Sequence, residues 1–470
     1  MDSEEDLHWL TAKDLSTAFS TRELSPVEVT EWLLGRIEAL DARINAFCLV
    51  DAPSALAQAE ASEARYTVGE PLSTLDGVPM AIKDLLLSKG WPTLRGSRTV
   101  DPTQSWDADA PAVAHLREAG AVFLGKTTTP EFGHKATNDS PLTGSTRNPW
   151  NTDLTPGGSS GGAGAALAAG FTTLAFGTDA GGSVRIPASF CGVVGFKPTF
   201  GRIPAYPPSP FGTLAHVGPM ARTVEDAVLF FLAMAKDDPR DAYYVPHETA
   251  GALRSLRHGV SGLRVAVSPR LGYVKDLDPE VEATAMTAAR VLESLGARVD
   301  MIDPPISDPT PFFRRLFYAN AHFLASQLPE DKRALTDPTF QRAVALGEPL
   351  SRLDLQTAQA QRVTYTAEWR QFMTRYDLVL TPQLAVLPFA VGRVAPVKEN
   401  GDAWLDWSPF AYPFNLTGQP AISVPAGFSQ SGLPIGVQIV GAHFADDLVL
   451  RAAFALETEL DLIGRHPEGF

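Results

Sequence analysis

The stretch TPGGSSGGAGAALAAGFTTLAFGTDAGGSVRIPA, residues 155–188, carries the most distinctive pattern in the chain. Two glycine-rich patches, 157–162 and 181–183, flank an apolar segment. That segment predicts an alanine-rich helix near 163–170 followed by a strand near 173–177. Glycine lets other atoms approach the main chain closely, and each patch places serine hydroxyls beside free backbone N–H groups. Such an arrangement suits a nucleophile next to an oxyanion hole; the alternative is a pair of flexible loops or a phosphate-binding turn.

Lys83, in the segment GVPMAIKD, is a candidate general base for such a nucleophile. A lysine accepts a proton only when it is neutral, and burial lowers its pKa because the charged form is costly to desolvate. The five residues before it, 78–82, are apolar and supply suitable neighbours. Taken alone, the same lysine is typical of a surface side chain whose aliphatic stem covers apolar residues. Together with the two serine patches, it favours serine-based hydrolysis.

Two further patterns match motifs that belong to other chemistry. Residues 120–127, GAVFLGKT, fit the expression for a phosphate-binding loop. Their middle is a strand-like apolar run, and the residues before it, 112–119, predict a helix, which reverses the order that such a loop requires. Residues 158–162, GSSGG, fit the nucleophile elbow with Ser160 as nucleophile. That mechanism needs an acid and a histidine downstream, and none of the downstream histidines lies in a turn-like catalytic setting.

The same segments resemble those of the amidase signature family of serine hydrolases. GGSSGG, GTDAGGSVRIP and VPMAIKD carry the resemblance, and KTTTPEFG, CGVVGFKPTFGRIP and GLPIGVQIVG extend it. The resemblance covers most of residues 10–460. It implies one amidase domain over 1–470, a single α/β/α fold with a central mixed, twisted sheet covered by helices. The signature core would span about 75–205, and the less distinctive segment of about 236–375 would form a variable wall of the substrate site.

The resemblance also assigns roles to individual residues. It places the nucleophile at Ser183, a bridging serine with a preceding cis peptide bond at Ser159, and the general base at Lys83. A serine hydroxyl both donates and accepts, so Ser159 can pass a proton between the other two groups. No position of this core departs from the family pattern.

Other residues near the nucleophile are expected to bind substrate or to support the loop. By the resemblance, the oxyanion hole consists of the backbone N–H groups of Ala180, Gly181, Gly182 and Ser183, and Gly133 lies in the acyl pocket. Asp179 and Arg185 flank the nucleophile and are expected to pair and brace its loop. The less favoured alternative is that Arg185 grips a substrate carboxylate. His134 and Lys135 are interpreted as ordinary polar loop residues.

Composition excludes several classes of protein. With 470 residues and 44% hydrophobic content, the chain can bury a large core. A net charge of −15 and a pI near 5.1 argue against a nucleic-acid partner, which requires a basic patch. The two cysteines, Cys48 and Cys191, exclude a disulfide framework and suit a reducing compartment. Cys191 is interpreted as a small buried hydrophobe.

No targeting, membrane or metal-binding segment is evident in the sequence. The first residues, MDSEEDLHWL, lack the apolar core of a signal peptide, and no run of about 18 apolar residues predicts a spanning helix. The histidines, cysteines and acidic residues show no metal-ligand spacing, so we expect neither a metal nor another cofactor. These features predict a cytoplasmic enzyme for a small-molecule amide, without a membrane span and compatible with a homodimer.

Alternating strand and helix patterns predict an α/β fold with a mixed sheet. The capping box Ser25-Pro26-Val27-Glu28 predicts a helix that ends near Leu40, and Thr223 begins another that ends at Met234. Residues 236–262 are polar and contain prolines, which is typical of a surface excursion. Strands are expected near 77–83, 121–125, 173–177, 263–269, 297–303, 377–381, 421–424 and 434–440. Further helices are expected from Asp278-Pro279 and over 311–327, 354–375 and 446–460.

Three functions remain open at this point. The favoured one is a stand-alone amidase for hydrophobic alkyl or aryl amides, with an acyl pocket formed by Phe132, Phe211 and 206–208 and a wall formed by 308–345. The second is the glutaminase subunit of an amidotransferase that acts on misacylated tRNA. Such subunits have a segment like SRYGLVAFASSLDQIGP where this chain has GRIPAYPPSPFGTLAHVGP, residues 201–219. The third, a catalytically inactive binding module, is disfavoured by the intact lysine and serines.

Overall fold

The computed structural model describes residues 4–246, 251–397 and 404–470. These residues form thirteen strands, eleven of which join in one sheet. The strands are β1 (Phe47–Val50), β2 (Pro79–Lys83), β3 (Val122–Thr127), β4 (Asp139–Ser140), β5 (Gly144–Ser145), β6 (Leu174–Asp179), β7 (Val194–Lys197), β8 (His216–Ala221), β9 (Arg264–Val267), β10 (Arg298–Met301), β11 (Leu378–Pro382), β12 (Ala421–Phe428) and β13 (Pro434–Gly441).

The main sheet is mixed, and its strand order is β1-β3-β2-β6-β8-β7-β12-β13-β11-β9-β10. Parallel pairing joins β3, β2 and β6 in one half and β11, β9 and β10 in the other. Antiparallel strands connect the two halves. The expected central mixed sheet is therefore confirmed.

Helices cover the sheet. In the part of the chain that the structure describes they are α1 (Ala12–Thr21), α2 (Pro26–Leu40), α3 (Ala52–Val68), α4 (Pro111–Glu118), α5 (Gly161–Ala168), α6 (Arg185–Cys191), α7 (Val224–Met234), α8 (Gly251–Ser255), α9 (Pro279–Ser294), α10 (Thr310–Ser326), α11 (Glu330–Arg333), α12 (Pro338–Gly347), α13 (Arg352–Phe372), α14 (Trp404–Trp407), α15 (Pro413–Thr417) and α16 (Asp446–Leu460).

Two large apolar clusters lie on opposite faces of the sheet. Val265 and Val267 of β9 belong to a cluster with the helices α4, α7, α9 and α16, whereas Ala266 between them belongs to a cluster with α6, α10 and α13. Successive side chains of a strand point to opposite faces, so helices cover both sides. This arrangement is the α/β/α layering that the resemblance implies. Every residue of α5 is buried, as expected for a helix that is apolar all round.

Most of the predicted elements are present. Ser25 caps α2 with its capping box complete, Thr223 caps α7, and α16 spans the predicted 446–460. The segment 120–127 contains β3 and follows α4, so its helix–strand order is not that of a phosphate-binding loop. Cys191 is fully buried, and burial raises the pKa of its thiol.

Several elements were missed. The central strands β7 and β8 were not predicted because their sequences, VGFK and HVGPMA, contain glycine and proline, which interrupt the strand pattern. The short helices α11 and α12 of the wall segment were also not predicted, although α12 buries Phe340, Ala343 and Gly347 on one face. Of the predicted surface excursion 236–262, residues 247–250 lie outside the described part. The remainder includes α8, whose Ala252 is buried in the core, so the excursion is partly anchored.

Candidate active site

Two parallel strands bring the lysine and the second serine patch to the same edge of the sheet. In β2 and β6, Met80 pairs with Leu174, and both strands run in the same direction. β2 ends at Lys83, and β6 ends at Asp179, immediately before the loop 180–183. Carboxyl ends of parallel strands meet at one edge, where ligand sites of α/β sheets form.

Lys83 lies at the centre of a hydroxyl cluster. Its Nζ is 2.8 Å from Ser159 Oγ, 2.8 Å from Ser160 Oγ and 2.9 Å from Thr178 Oγ1. The side chain is fully buried, as its apolar neighbours predicted. Burial holds the pKa of Lys83 well below its ordinary value, and the Asp179 carboxylate opposes this effect only in part. A neutral amine is therefore favoured here, with hydroxyl groups as its polar partners.

The two adjacent serines differ in their access to the cavity. Ser159 lines the large cavity at the sheet edge, whereas Ser160 is fully buried beneath it. Ser160 Oγ also lies 3.3 Å from the carbonyl oxygen of Thr178 and accepts from the Thr178 N–H at 3.3 Å. A nucleophile-elbow serine must be exposed to substrate, so this geometry does not favour that interpretation. The Gly158–Ser159 peptide bond is cis, as the resemblance implies.

Ser183 lies in the loop between β6 and α6 and lines the same cavity as Ser159. Of the four backbone N–H groups expected in the oxyanion hole, that of Gly182 donates to Asp179 Oδ1 at 2.7 Å. Within the described residues, the N–H groups of Ala180, Gly181 and Ser183 have no protein acceptor. Gly182 serves the loop in another way: its φ is +118°, and a Cβ there would lie 2.4 Å from Ala411 Cβ.

Asp179 and Arg185 form a fully buried ion pair that braces this loop. Arg185 Nε is 2.9 Å from Asp179 Oδ2, and its other nitrogens donate to Ala411 O, Gln438 Oε1 and Asn415 Oδ1. Burial would raise the pKa of the Asp179 carboxyl, but Arg185 and the Asn415 amide hold it well below its usual range. Because Arg185 is fully engaged and does not line the cavity, the alternative in which it grips a substrate carboxylate is not supported.

The cavity above the serines has a volume of about 460 Å³. Its apolar lining includes the predicted pocket residues Phe132, Phe211 and 206–208, together with Leu85. From the predicted wall 308–345, Leu324 lines the cavity. The wall also packs against the nucleophile loop, since a Cβ on Gly181 would lie 3.2 Å from the Phe313 ring.

Gly133 borders both the cavity and the bridging serine. Its φ is +69°, and a Cβ at this position would lie 2.9 Å from Leu85 Cδ1 and 3.1 Å from Ser159 Oγ. A larger residue would therefore press on Ser159. This position is compatible with the acyl-pocket role that the resemblance implies.

The interpretation of His134 and Lys135 as ordinary loop residues is wrong. Both are buried, and Lys135 Nζ lies 2.6 Å from Asp139 Oδ2 and 3.0 Å from Asp337 Oδ2. His134 Nε2 lies 2.7 Å from Thr339 Oγ1. Asp139 is only four residues from Lys135, but Thr339 and Asp337 belong to the segment around α12, about 200 residues further along the chain, and the local sequence contains no signal of these contacts. The network ties the loop that carries Gly133 to the variable wall.

The sequence analysis also missed Thr178 and His216. Thr178 Oγ1 contacts Lys83, and its position directly after the predicted strand 173–177 and one residue before Asp179 was an available signal. His216 lines the cavity, and its Nδ1 lies 2.9 Å from Leu214 O and 3.2 Å from Asp179 O. Burial and the neighbouring Lys197 hold the pKa of His216 well below its ordinary value.

The described residues form neither a metal-binding cluster nor a membrane-spanning helix. Over residues 4–246, 251–397 and 404–470, no three or more His, Cys, Asp or Glu side chains are grouped as metal ligands. Within these same ranges, no helix combines the length and apolar character needed to cross a membrane.

The family model described as Amidase matches residues 28–450. The chain is 37% identical to an acylamidase of Rhodococcus erythropolis over 97% of this chain and 96% of the relative. It is 36% identical to a glutamyl-tRNA(Gln) amidotransferase subunit of Geobacter sp. (strain M21), covering 96% and 97% of the two chains.

The fold agrees with these sequence relationships. The solved structure of a bacterial aryl acylamidase of the amidase signature family matches with a TM-score of 0.89 and 30% identity, over 98% of this chain and 99% of that one. The protein is thus an enzyme of the amide-hydrolysing class. It belongs to the amidase signature family.

Proposed function

We propose that this protein hydrolyses the C–N bond of carboxylic amides through an acyl-enzyme on Ser183, with Lys83 as general base and Ser159 as proton relay. The observation that carries the proposal is the contact between Lys83 Nζ and Ser159 Oγ, 2.8 Å, at the floor of a cavity that Ser183 also lines. Serine needs a base to become a nucleophile, and a buried neutral lysine can serve as one.

In the acylation step, Ser183 Oγ attacks the carbonyl carbon of the amide. Its proton passes to Ser159, and Ser159 gives its own proton to Lys83. The carbonyl oxygen becomes an oxyanion. The N–H groups of Ala180, Gly181 and Ser183, which have no acceptor among the described residues, can donate hydrogen bonds to it. The C–N bond then breaks, and the nitrogen leaves as an amine after taking the proton back from Lys83 through Ser159.

In the deacylation step, water takes the place of the amine. Lys83 removes one proton from the water through Ser159, and the resulting hydroxide attacks the acyl carbon. When the ester bond breaks, Ser183 Oγ regains a proton, and a carboxylic acid is released. Both steps use the same groups in opposite order, so no cofactor is required.

The apolar walls support a substrate with an alkyl or aryl group. Phe132, Phe211, Leu85 and Leu324 present hydrocarbon surface to the cavity. A pocket of this kind binds an apolar group by removing its surface from water, at about 25 cal/mol per Å². This lining favours hydrophobic amides over a small polar amide such as glutamine.

Glutamine hydrolysis within an amidotransferase is the second candidate, because subunits of glutamyl-tRNA(Gln) amidotransferases are similar to this chain over nearly its full length. Free glutamine carries an ammonium group that needs an acidic partner. Both acids of the cavity already have partners: Asp179 pairs with Arg185, and Asp241 accepts from the backbone N–H groups of Ala205 and Tyr243. Backbone N–H groups do not neutralise a carboxylate, so this arrangement disfavours an ammonium contact only at Asp179, and the preference against glutamine rests on the apolar lining.

A substrate panel separates the two functions. The purified chain, without ATP, tRNA or added subunits, is expected to release amine from at least one aryl or alkyl amide with a kcat/KM about tenfold or more above that for glutamine. Product release from anilides, alkyl amides, a cyclic amide and glutamine is measured side by side. Inactivity toward all the hydrophobic amides, with glutamine hydrolysis appearing only after partner subunits are added, would establish the amidotransferase function instead.

The rate is expected to rise with pH. Lys83 must be neutral to accept a proton, so below its pKa kcat/KM falls about tenfold per pH unit, and above it a plateau is reached. Because burial lowers this pKa, the plateau begins well below the ordinary lysine value. Deprotonation of His216 cannot produce this rise of kcat/KM near neutral pH, since burial lowers the pKa of His216 as well. Measuring kcat/KM over about pH 5 to 10 tests the prediction; activity that only falls as pH rises would exclude Lys83 as the base.

A further inference from the structure

One cationic side chain of the cavity lacks a partner among the residues that the structure describes. Arg95 lines the cavity together with Ser159 and Ser183. The other cavity arginine, Arg240, pairs with Asp238 at 2.6 Å. Arg95 makes no side-chain hydrogen bond or ion pair with any residue that the structure describes.

Asp84, the acid that acts electrostatically on Arg95, already pairs with another cation. Asp84 acts on Arg95 through space, but its Oδ1 lies 3.0 Å from Lys126 Nζ and its Oδ2 accepts from the Gly96 N–H at 3.3 Å. Burial lowers the pKa of Arg95, yet a guanidinium stays protonated in proteins. A partly desolvated charge without a counter-charge is unfavourable unless a ligand supplies one.

The backbone holds this side chain in place beside the acyl pocket. Arg95 has a left-handed φ of 58°, and Gly96 after it has a φ of 62°. A Cβ on Gly96 would lie 2.5 Å from Thr129 O, so only glycine fits this turn. The Arg95 carbonyl oxygen accepts from the Phe132 N–H at 2.8 Å, and the next residue, Gly133, borders Ser159. A left-handed non-glycine residue is energetically costly and marks functional positions more often than others.

We propose that Arg95 forms a carboxylate-binding subsite, so that the natural amide carries a carboxylate in addition to its apolar group. The planar guanidinium donates two parallel hydrogen bonds to a carboxylate, which fixes orientation as well as charge. The apolar walls and the Arg95 guanidinium together select an amphipathic anion. The proposal rests on the proposed amide hydrolysis and adds the substrate class.

Binding is tested without turnover. In the Ser183→Ala variant, calorimetry compares glutaranilate, an anilide that ends in a carboxylate, with its neutral analogue pentananilide. We expect glutaranilate to bind more tightly, and adding Arg95→Gln to weaken its binding at least tenfold relative to pentananilide. Equal affinity of the two probes, or an unchanged ratio with Arg95→Gln, would overturn the subsite.

Turnover then locates the carboxylate. Glutaranilate carries it on the acyl side, and N-butanoyl-4-aminobenzoate carries it on the leaving amine. Because Arg95 lies beside the acyl pocket, Arg95→Gln is expected to lower kcat/KM for glutaranilate at least tenfold relative to the matched neutral anilide, mainly through KM, and to change N-butanoyl-4-aminobenzoate no more than its neutral anilide. Arg98→Gln is the control, since Arg98 is exposed three residues further on and lies outside the cavity. An equal loss in both variants would overturn the proposal.

The two proposals can fail separately. If no amide is hydrolysed, the amidase function fails, while probe binding to the Ser183→Ala background still decides whether Arg95 recognises a carboxylate. If anilides are hydrolysed but the ratios do not respond to Arg95→Gln, amide hydrolysis stands and the carboxylate subsite is rejected.

Discussion

Replacing Ser183 with alanine is expected to lower kcat for amide hydrolysis by roughly 10⁴- to 10⁶-fold, the range seen when a serine nucleophile is removed. Ser183 lies in the loop that carries the three N–H groups without acceptors among the described residues, so we expect no other hydroxyl to replace its nucleophilic oxygen. Amine release under single-turnover conditions measures the loss. A serine-directed fluorophosphonate is expected to modify Ser183 in the unaltered protein, as located by peptide mass spectrometry.

Ser160→Ala is the matched control. Ser160 Oγ lies as close to Lys83 Nζ as Ser159 Oγ does, but its side chain is sealed from the cavity. The variant is expected to keep covalent labelling at Ser183, and Ser183→Ala is expected to change the free energy of unfolding by less than about 1 kcal/mol. Modification of Ser160 by the fluorophosphonate would establish the nucleophile elbow and reject Ser183 as the nucleophile.

Local patterns in the sequence predicted the elements that local forces determine. Ser25 and Thr223 cap helices by bonds to residues two and three positions ahead, so a short window contains the whole signal. Apolar runs identified β2, β3 and β6. The central strand β8 was missed because Pro219 lies within it. Its extended conformation depends on pairing with the neighbouring strands β6 and β7, which the local sequence does not reveal.

The sequence indicated candidate residues for the site but not their geometry. Lys83, Ser159 and Ser183 are far apart in the chain, and their association depends on the parallel pairing of β2 with β6, which no local pattern specifies. The family resemblance supplied that connection. It did not show that the Gly182 N–H is taken by Asp179, because a glycine-rich sequence does not reveal which N–H groups remain open.

Contacts with distant segments explain the remaining errors. His134 and Lys135 are buried because Thr339 and Asp337 reach them from the wall. Arg95 attracted no notice in the sequence, since a lone arginine is usually a solvated surface residue. Its significance comes from the absence of a partner among the described residues around the cavity, which is a property of the three-dimensional structure alone.

Lys83→Met is expected to lower kcat/KM by roughly 10³-fold or more, because general-base assistance is lost while the shape of the side chain is largely kept. The residual activity is expected to lack the rising pH limb. Thr178 Oγ1 loses its hydrogen-bond partner, and an unsatisfied group of this kind costs about 1–3 kcal/mol of unfolding free energy. Ser160 Oγ keeps its two contacts with the Thr178 backbone. Activity at several pH values and denaturant unfolding are measured on the same preparation.

Lys126→Met separates a catalytic lysine from a structural one. Lys126 is as buried as Lys83 and lies on the adjacent strand β3, where it pairs with Ile82. Its Nζ lies 3.0 Å from Asp84 Oδ1, and the residue does not line the cavity. Its replacement leaves Asp84 without its buried partner and is expected to cost about 3–5 kcal/mol of stability. The folded fraction is expected to keep the rising pH limb. If Lys126→Met removes that limb while Lys83→Met retains it, the general base is not Lys83 and the proton path through Ser159 is wrong.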